Sequence, residues 1–418
     1  MKIALVIEHF DPARGGAERF TVWLAGQLVA AGHEVHVLCH DSGRRSPPRP
    51  PARHGASHDA RRWRDGAGSS GPVRIDGVHI HIFRTIKLST GVGFRQFGQV
   101  ARRWCRAQRP DVAHSMSVAW PGDLYHPHAG VYARLQSQAV ASRHTPAAAQ
   151  IKRLLLHLSG KQRALLALEK QAMRPPERGG PWKILCLSSR MRHDFRDLYC
   201  VAPAQLEILE NPFTFRPPPP PQWAAMRLWF REMYRLNETD RVAVFAGHDF
   251  RRKGLDWAIR AIAAAAPWKL IVAGMGRTRA YLELAQRLGV AERVLFIGPT
   301  RQMDHVYSAG DVLLLPTFYD SFGLVALEAL AHGLPVISTR FLGAGEMIER
   351  HALGTIVDSP RAVREMAAAL AAPPWSDCDR MEFARRALRA LGDLSPAAYL
   401  AKLEDLYRRC LADKAAGD

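Results

Sequence analysis

The chain is poor in cysteine and lacks the spacing that makes cysteine structural. Its six cysteines are scattered through 418 residues and include no C-x-x-C pair. This distribution argues against a zinc site or a disulfide framework and is typical of a reducing compartment. The positions are Cys39, Cys105, Cys186, Cys200, Cys378 and Cys410.

Long hydrophobic runs are also missing. The first apolar stretch, 3–7, is followed at once by Glu8 and His9, so it is too short for the hydrophobic region of a secretory signal. No segment approaches the roughly 18–20 apolar residues that a membrane-spanning helix needs. We therefore expect a cytoplasmic protein that is soluble or peripheral on the inner face of the cytoplasmic membrane.

Acidic residues are scarce relative to basic ones. The chain has 39 Asp and Glu against 58 Lys and Arg, which gives a formal net charge of +19. Such a surface favours anionic partners, although an arginine-rich genome composition would give the same balance. Because no RNP, KH or zinc-finger signature accompanies the charge, we expect no nucleic-acid partner.

The first half of the chain alternates strands and helices. A strand at 3–7, a glycine-containing loop, a helix from Ala17 to Ala31 and a strand at 34–39 form a βαβ opening. Repetition of this unit predicts a parallel sheet with helices on both faces. The segment 42–72 is rich in Arg, Pro, Gly and Ser, which predicts a disordered insertion.

A proline run at 217–221 divides the chain, and a second βα series follows it. We predict two doubly wound, Rossmann-like α/β domains that face each other across a cleft. Ligands of such sheets bind at the carboxyl ends of the strands. The predicted units are an N-terminal domain at 1–215, a linker at 216–222, a nucleotide-sugar-binding domain at 223–394, and a C-terminal helix at 395–418 that packs back on the N-terminal domain.

The region 132–174 is helical in pattern, basic and rich in leucine, with Glu169 as its one acid. Each Lys or Arg near an anionic bilayer adds about 1 kcal/mol of attraction. The region therefore suits docking on a membrane surface, and it equally suits an ordinary packed helix pair with a solvated basic face.

Two glycine-containing turns have the chemistry of phosphate sites. Gly15 and Gly16 precede the first helix, where the backbone can approach a ligand and free N–H groups are available. An ordinary tight turn explains this pair as well. Arg252 and Lys253 follow the strand 242–246, where an arginine fork, a lysine charge and a helix N-terminus meet. This combination suits a diphosphate better than a plain surface turn does.

The segment 319–337 carries the most specific pattern. Asp320 and Glu328 lie eight residues apart, one on a loop and one within the following apolar helix. Backbone amides around Gly323 can receive a phosphate, and two acids at different depths can accept hydroxyl groups from two sugars of one ligand. A buried packing role for Glu328 is the alternative.

These motifs together resemble the family-four retaining glycosyltransferases of the GT-B fold. The segment 320–328 is similar to their E-x7-E region, with Asp320 in place of the first Glu. The Arg252-Lys253-Gly254 turn, the Val272–Gly276 turn, Phe296-Ile297-Gly298 and the Gly15-Gly16 loop accompany it. The segments 316–320, 339–346 and 123–130 resemble in particular the lipopolysaccharide core glucosyltransferase I branch.

The resemblance implies roles for individual residues. Glu328 would bind the ribose, and Arg252 and Lys253 the diphosphate, while Asp320 would contact the donor sugar. Asp123 and His128 would face the sugar and the acceptor from the N-terminal domain. Further donor contacts are implied at Gly15, Gly16, Gly247, Gly274, Gly276, Ser321, Phe322, Gly323, Leu324 and Val325. Since Asp320 is one methylene shorter than Glu, its sugar contact and the donor preference stay open.

The resemblance further implies transfer of a hexose, glucose from a UDP-sugar being the best match, to a glycolipid or lipopolysaccharide-core-type acceptor with retention of configuration. No cofactor and no metal are expected, because Arg252, Lys253 and helix-terminal amides can stabilise the departing diphosphate. The D-x-D at Asp377-Cys378-Asp379 lies far from the motifs and is taken as surface sequence.

Other functions remain open at this point. A transferase acting on a soluble acceptor is the nearest alternative, and a non-catalytic protein that binds sugar nucleotides or other anionic ligands is another. An epimerase or a phosphorylase could use the same architecture. The donor base, the acceptor, the linkage and the oligomeric state do not follow from the residues.

Overall fold

The computed structural model describes residues 1–12, 15–41, 73–85, 90–371 and 379–417. The expected disordered insertion at 42–72 and most of the D-x-D segment lie outside these residues. Within them the chain forms two α/β domains, each built on one sheet.

The N-terminal sheet has eight strands in the order β3-β4-β2-β1-β5-β6-β7-β8. All neighbours are parallel except β3 and β4. The interior of β1 is fully buried, as expected for a strand covered by helices on both faces. The strands are β1 (Lys2–Val6), β2 (Glu34–Asp41), β3 (Val73–Ile75), β4 (Val78–Arg84), β5 (Val112–Ser115), β6 (Leu124–Tyr125), β7 (Lys183–Cys186) and β8 (Leu206–Ile208).

The described residues of this half form six α-helices, three of them from the basic region. Thr145 and Ser159 cap two of these three with their side-chain oxygens, which is why the region breaks there. The helices are α1 (Gly16–Ala30), α2 (Gly91–Gln108), α3 (Tyr132–Ala141), α4 (Pro146–Leu158), α5 (Gly160–Ala172) and α6 (Ser189–Tyr199).

The C-terminal sheet has six parallel strands in the order β11-β10-β9-β12-β13-β14. The order reverses direction between β9 and β12, so a crevice opens at the carboxyl ends of these two strands. The strands are β9 (Val242–Ala246), β10 (Lys269–Ala273), β11 (Val294–Gly298), β12 (Val312–Leu315), β13 (Val336–Thr339) and β14 (Gly354–Val357).

The helices of the second half are α7 (Pro220–Met233), α8 (Leu255–Ala264), α9 (Arg279–Arg287), α10 (Met303–Ala309), α11 (Leu324–Ala331), α12 (Gly345–Arg350), α13 (Val363–Ala371), α14 (Arg380–Leu391) and α15 (Pro396–Gly417). The last of these, α15, packs on the N-terminal sheet: Leu403 and Tyr407 join one buried cluster with Ile3 and Leu5 of β1. The C-terminal helix therefore ties the end of the chain to the domain in which the chain begins.

The expected linker at 216–222 is shorter in the structure, because α7 already begins at Pro220. Proline is well tolerated in the first helical turn, where its missing N–H has no intrahelical partner. Arg231 of α7 is 1% exposed and binds the carbonyl oxygen of Ala309 and the carboxylate of Asp311, so this helix is part of the C-terminal domain.

None of the helices in the described part of the chain combines the length and the apolar character needed to span a bilayer.

Candidate functional site

The carboxyl ends of both sheets meet across the interdomain cleft, and direct hydrogen bonds join the two sides. The Val131 backbone N–H donates to the Tyr319 hydroxyl at 2.9 Å. The Ser321 hydroxyl donates to the carbonyl oxygen of His128 at 2.8 Å. The loop of the C-terminal domain that carries Asp320 is therefore in contact with the loop that carries His128.

The turn after β9 places Arg252 and Lys253 at this cleft. Gly254 has a φ of +78°, and a Cβ built there would lie 2.0 Å from the carbonyl oxygen of Pro316, so only glycine fits. The Arg252 guanidinium donates to the carbonyl oxygen of Tyr319 at 2.7 Å. The main chain of Arg252 also accepts the N–H of Phe318 at 2.8 Å. These contacts hold the basic turn against the loop that follows β12.

Lys253 and Asp320 form an ion pair between their side-chain Nζ and Oδ2 atoms. Their side chains are only 9% and 14% exposed, so water screens the pair little. Burial alone would raise the pKa of Asp320, but the charges of Lys253 and Arg252 and the Phe322 backbone N–H hold it below its usual range. Asp320 is therefore a carboxylate at neutral pH.

The N-terminus of α11 opens beside this pair. Gly323 caps the helix with a φ of +98°, and a Cβ there would lie 2.2 Å from Leu342. Phe322 is buried, whereas Ser321 and Val325 are half-buried and Leu324 is exposed at the helix start. The first N–H groups of a helix lack intrahelical acceptors and favour an anion. The segment from Ser321 to Val325 thus has the backbone geometry of a phosphate site.

Glu328 lies on α11, about 1.4 helical turns after Gly323. Its Oε2 accepts the hydroxyl proton of Tyr307 at 2.9 Å. Burial raises the pKa of Glu328, while the Tyr307 hydrogen bond and the positive charge of Arg19, from α1 across the cleft, act in the opposite direction. Glu328 is therefore a positioned acid facing the cleft, not an unpaired core residue.

Three glycines pack the turns of the C-terminal sheet closely. A Cβ on Gly274 would lie 2.0 Å from the carbonyl oxygen of Gly247, and one on Gly276 would lie 2.5 Å from the Phe250 ring. Gly247 itself has a φ of +149° and lies against the Lys253 side chain. These glycines let the β9 and β10 turns approach each other, and donor contact at these positions stays a prediction.

Gly15 and Gly16 begin α1 at the carboxyl end of β1. A Cβ on Gly16 would meet no atom within 4 Å, whereas one on Gly15 would lie 2.8 Å from the Glu18 carboxylate. The described surroundings therefore leave open space at the Gly16 position. Its expected contact with a donor phosphate stays a prediction.

His128 lies at the cleft as expected. Its ring packs on Phe20 of α1 at a centroid distance of 4.2 Å and on His126 at the same distance. Burial lowers the pKa of His128 to about 3, so the imidazole is neutral. Its Nε2 atom is buried and has no hydrogen-bond partner among the described residues. A neutral imidazole with a spare nitrogen suits a sugar hydroxyl.

The expectation for Asp123 is wrong. This residue precedes β6, at the amino end of the strand and not at the carboxyl end that faces the cleft. Its Oδ2 accepts the Ala113 backbone N–H at 2.8 Å and pairs with Lys414 of α15 at 3.1 Å. Asp123 therefore links the sheet to the C-terminal helix and is removed from the candidate site.

Tyr319, Tyr307 and Arg19 belong to the cleft and were missed from the sequence. Tyr319 adjoins Asp320, so its position in the motif was a usable signal. Tyr307 lies on α10, and no local pattern connects it with Glu328. Within the described residues, no group of three His, Cys, Asp or Glu side chains is arranged to hold a metal ion.

Two family models match the chain in succession. "Glycosyltransferase Family 4" matches residues 14–215, and "Glycosyl transferases group 1" matches residues 240–372. Together they cover most of the chain and both sides of the cleft. The chain belongs to the family-four glycosyltransferases of the GT-B fold.

Curated relatives agree on this class and differ in acceptor. Lipopolysaccharide glucosyltransferase WaaG of Escherichia coli K12 is 30% identical over 51% of this chain and 57% of its own length. D-inositol 3-phosphate glycosyltransferase of Corynebacterium glutamicum is 36% identical over 32% of each chain. The chain thus spans about a third to just over half the length of these relatives.

Solved structures share the whole fold. A crystal structure of WaaG matches with a TM-score of 0.66 at 20% identity, covering 98% of both chains. Sucrose-phosphate synthase from Thermosynechococcus elongatus matches with a TM-score of 0.71 at 18% identity over 98% and 99%. Anabaena HepE in complex with UDP and glucose matches with a TM-score of 0.59 at 16% identity over 97% and 99%.

Proposed function

We propose that this glycosyltransferase moves a hexose from a UDP-sugar to a glycolipid or lipopolysaccharide-core-type acceptor, glucose being the best match for the hexose. We further propose that the transfer retains the anomeric configuration and requires no metal. The observation that carries the proposal is the Lys253–Asp320 pair beside the N-terminus of α11. A cation beside a helix N-terminus suits a diphosphate, and the adjacent carboxylate suits the hydroxyl groups of an attached sugar.

The leaving group determines what the protein must supply. When the bond between the sugar C1 and the diphosphate oxygen breaks, negative charge develops on the diphosphate. Arg252, Lys253 and the free N–H groups of α11 can stabilise that charge as preorganised cations and dipoles. The acceptor hydroxyl forms the new bond to C1 on the same face, and a diphosphate oxygen takes the acceptor proton.

The remaining groups fit the two ends of the donor. Glu328, fixed by Tyr307 at 2.9 Å, would accept hydroxyl groups of the ribose. Asp320 and the neutral His128 would contact the transferred sugar from opposite domains. The hydrogen bond from Ser321 to the His128 carbonyl would hold the cleft closed over a donor bound by both domains, and a closed cleft excludes water.

The exposed surface of α4 supports the proposal that the acceptor is anchored in a membrane. Four of its apolar side chains are 57–70% exposed, and Lys152 and Arg153 lie among them. Such a helix binds in the interface of an anionic bilayer. The turn before α4 also touches the C-terminal domain, because Arg361 donates to the carbonyl oxygens of Ala141 and Arg143 at 2.7 and 2.8 Å. A bilayer held by α4 would therefore lie close to both domains. The exposed residues are Ile151, Leu154, Leu155 and Leu158.

The donor is tested by titrating the purified protein with UDP-, GDP- and ADP-sugars in the presence of EDTA. We expect stabilisation by a UDP-hexose, lost in Lys253→Ala and Glu328→Ala. The anomeric configuration of the product, read by NMR, tests retention. Absence of binding to any sugar nucleotide, or binding that requires a divalent cation, would contradict the proposal.

The acceptor side is tested with vesicles of phosphatidylglycerol and phosphatidylcholine at low salt. We expect binding that depends on the anionic lipid and is lost in the double variant Leu155→Asp, Leu158→Asp. The control is Leu282→Asp, Leu388→Asp, which adds the same charges at exposed leucines of the C-terminal domain. Equal activity on a soluble sugar acceptor in the absence of membranes would favour the soluble-acceptor alternative.

A further inference from the structure

Three buried side chains form a hydrogen-bonded chain from the C-terminal helix to the cleft. The hydroxyl oxygen of Tyr407, on α15, lies 2.8 Å from Nδ1 of His114 on β5. Nε2 of His114 lies 3.2 Å from Nδ1 of His126, which follows β6. All three side chains are fully buried.

The position of the Tyr407 hydroxyl proton decides which atom donates in each of these hydrogen bonds. The Tyr407 hydroxyl could donate to Nδ1 of His114 or accept from it. We assign it as the donor, because His114 is its hydrogen-bond partner among the described residues and a buried O–H left without an acceptor is costly. His114 then carries its proton on Nε2 and donates it to Nδ1 of His126. As a result His126 carries its own proton on Nε2. Burial lowers the pKa of His114 to about 3 and also lowers that of His126, so both rings are neutral.

The chain ends in a nitrogen without a partner. Nε2 of His126 is buried and makes no hydrogen bond to any described residue, and the same is true of Nε2 of His128. The two rings are 4.2 Å apart between centroids, and the His128 carbonyl binds Ser321 of the donor loop. A buried N–H that stays unpaired is costly, so this pair of nitrogens points to a polar ligand at the adjoining cleft.

We propose that His126 is a specificity-determining residue for the sugar part of the donor, and that Tyr407 and His114 are positioning residues that hold it in the Nε2–H form. This inference rests on the proposed function. A sugar hydroxyl has both a proton and lone pairs, so it can accept the His126 N–H. In the proposed function the nucleotide is bound from the other domain, by Glu328 and Lys253. Its binding therefore does not depend on the hydrogen bonds among Tyr407, His114 and His126.

The test compares UDP with UDP-glucose in calorimetric titrations of the full chain. We expect Tyr407→Phe, which removes one hydroxyl, to weaken UDP-glucose binding roughly fivefold while UDP binding changes by less than about twofold. The control is Tyr399→Phe on the same helix, because the buried Tyr399 hydroxyl has no partner among the described residues. Equal affinities of Tyr407→Phe and Tyr399→Phe for UDP-glucose would overturn the inference.

Two further readouts separate positioning from loss of folding. Nitrogen-15 NMR of the imidazoles should show His126 protonated on Nε2 in the native protein and a mixture of tautomers in Tyr407→Phe. His126→Gln, which keeps an N–H donor, should retain more UDP-glucose affinity than His126→Leu at equal UDP affinity. An Nδ1–H tautomer of His126 in the native protein would refute the inference. If the native protein binds neither UDP nor UDP-glucose, the proposed function itself fails.

Discussion

The side chains of Lys253 and Asp320 are paired at the cleft although 67 residues separate them in the chain. Lys253 follows β9 and Asp320 follows β12, two adjacent parallel strands whose carboxyl ends lie side by side. The topological switch of the sheet therefore creates the pair, and Gly254 allows the turn that presents Lys253.

Replacement of Lys253 by alanine should reduce kcat/KM by about 10²–10³, because the variant loses a cation that stabilises the departing diphosphate. The measurement is steady-state transfer from the identified donor. Lys269→Ala is the matched control, since Lys269 pairs with Asp240 in the same domain and away from the cleft. Comparable activity losses in the two variants would show that the effect is structural.

Removal of the Tyr307 hydroxyl should weaken nucleotide binding about fivefold, because Glu328 loses the hydrogen bond that fixes its carboxylate. Titration of Tyr307→Phe with UDP measures this change. Tyr281→Phe, at a half-buried tyrosine on α9 of the same domain, serves as the control. An unchanged Kd in Tyr307→Phe would remove Tyr307 from the site.

Donor affinity should fall at mildly acid pH. Burial raises the pKa of Glu328 above its usual value, so its carboxylate takes up a proton at a higher pH than an exposed glutamate does. The protonated form accepts ribose hydroxyls poorly. Affinity for UDP-glucose is therefore complete above this raised pKa and is lost as the pH falls through it.

Glu328→Gln should bind UDP-glucose more weakly at neutral pH and show a flatter pH profile. UDP-glucose is the suitable probe, because its diphosphate is a diester and has no ionisation near pH 6. If the variant keeps the native pH profile, another group is responsible for the acid effect.

Gly130→Ala should lower the free energy of unfolding by about 1–3 kcal/mol and reduce activity. Gly130 has a φ of +88°, and its Cβ would lie 2.4 Å from the Tyr319 hydroxyl that joins the two domains. Gly179→Ala is the control, since Gly179 has a φ of +82° with open space around it. Equal denaturation midpoints for the two variants would mean that the Tyr319 contact contributes nothing to stability.

The sequence by itself determined the class of fold. Apolar strands of four or five residues alternate with longer amphipathic stretches, and only a parallel sheet covered by helices buries both patterns. The strands at 242–246, 269–273, 312–315 and 354–357 were located to the residue. The two-residue strand β6 was missed, because a pairing of that length has no periodicity of its own.

The motif residues of the C-terminal domain were also readable from the sequence. Arg252, Lys253 and Asp320 lie in segments that follow strands, and Glu328 lies in the helix that follows Asp320. Local pattern and the resemblance therefore place all four at one sheet edge. Their expected ligand contacts remain predictions. Asp123 was misplaced because its neighbours in sequence do reach the cleft, while the residue itself lies at the amino end of β6.

Only the tertiary structure decided which distant groups meet. Tyr307 reaches Glu328, Tyr319 reaches Val131, and Tyr407 reaches His114 across 293 residues. No local pattern encodes such pairs, since each depends on how two elements pack after the sheets have formed. Composition and periodicity fix the elements because burial acts on every residue, whereas a single hydrogen bond between two elements leaves no trace in the sequence.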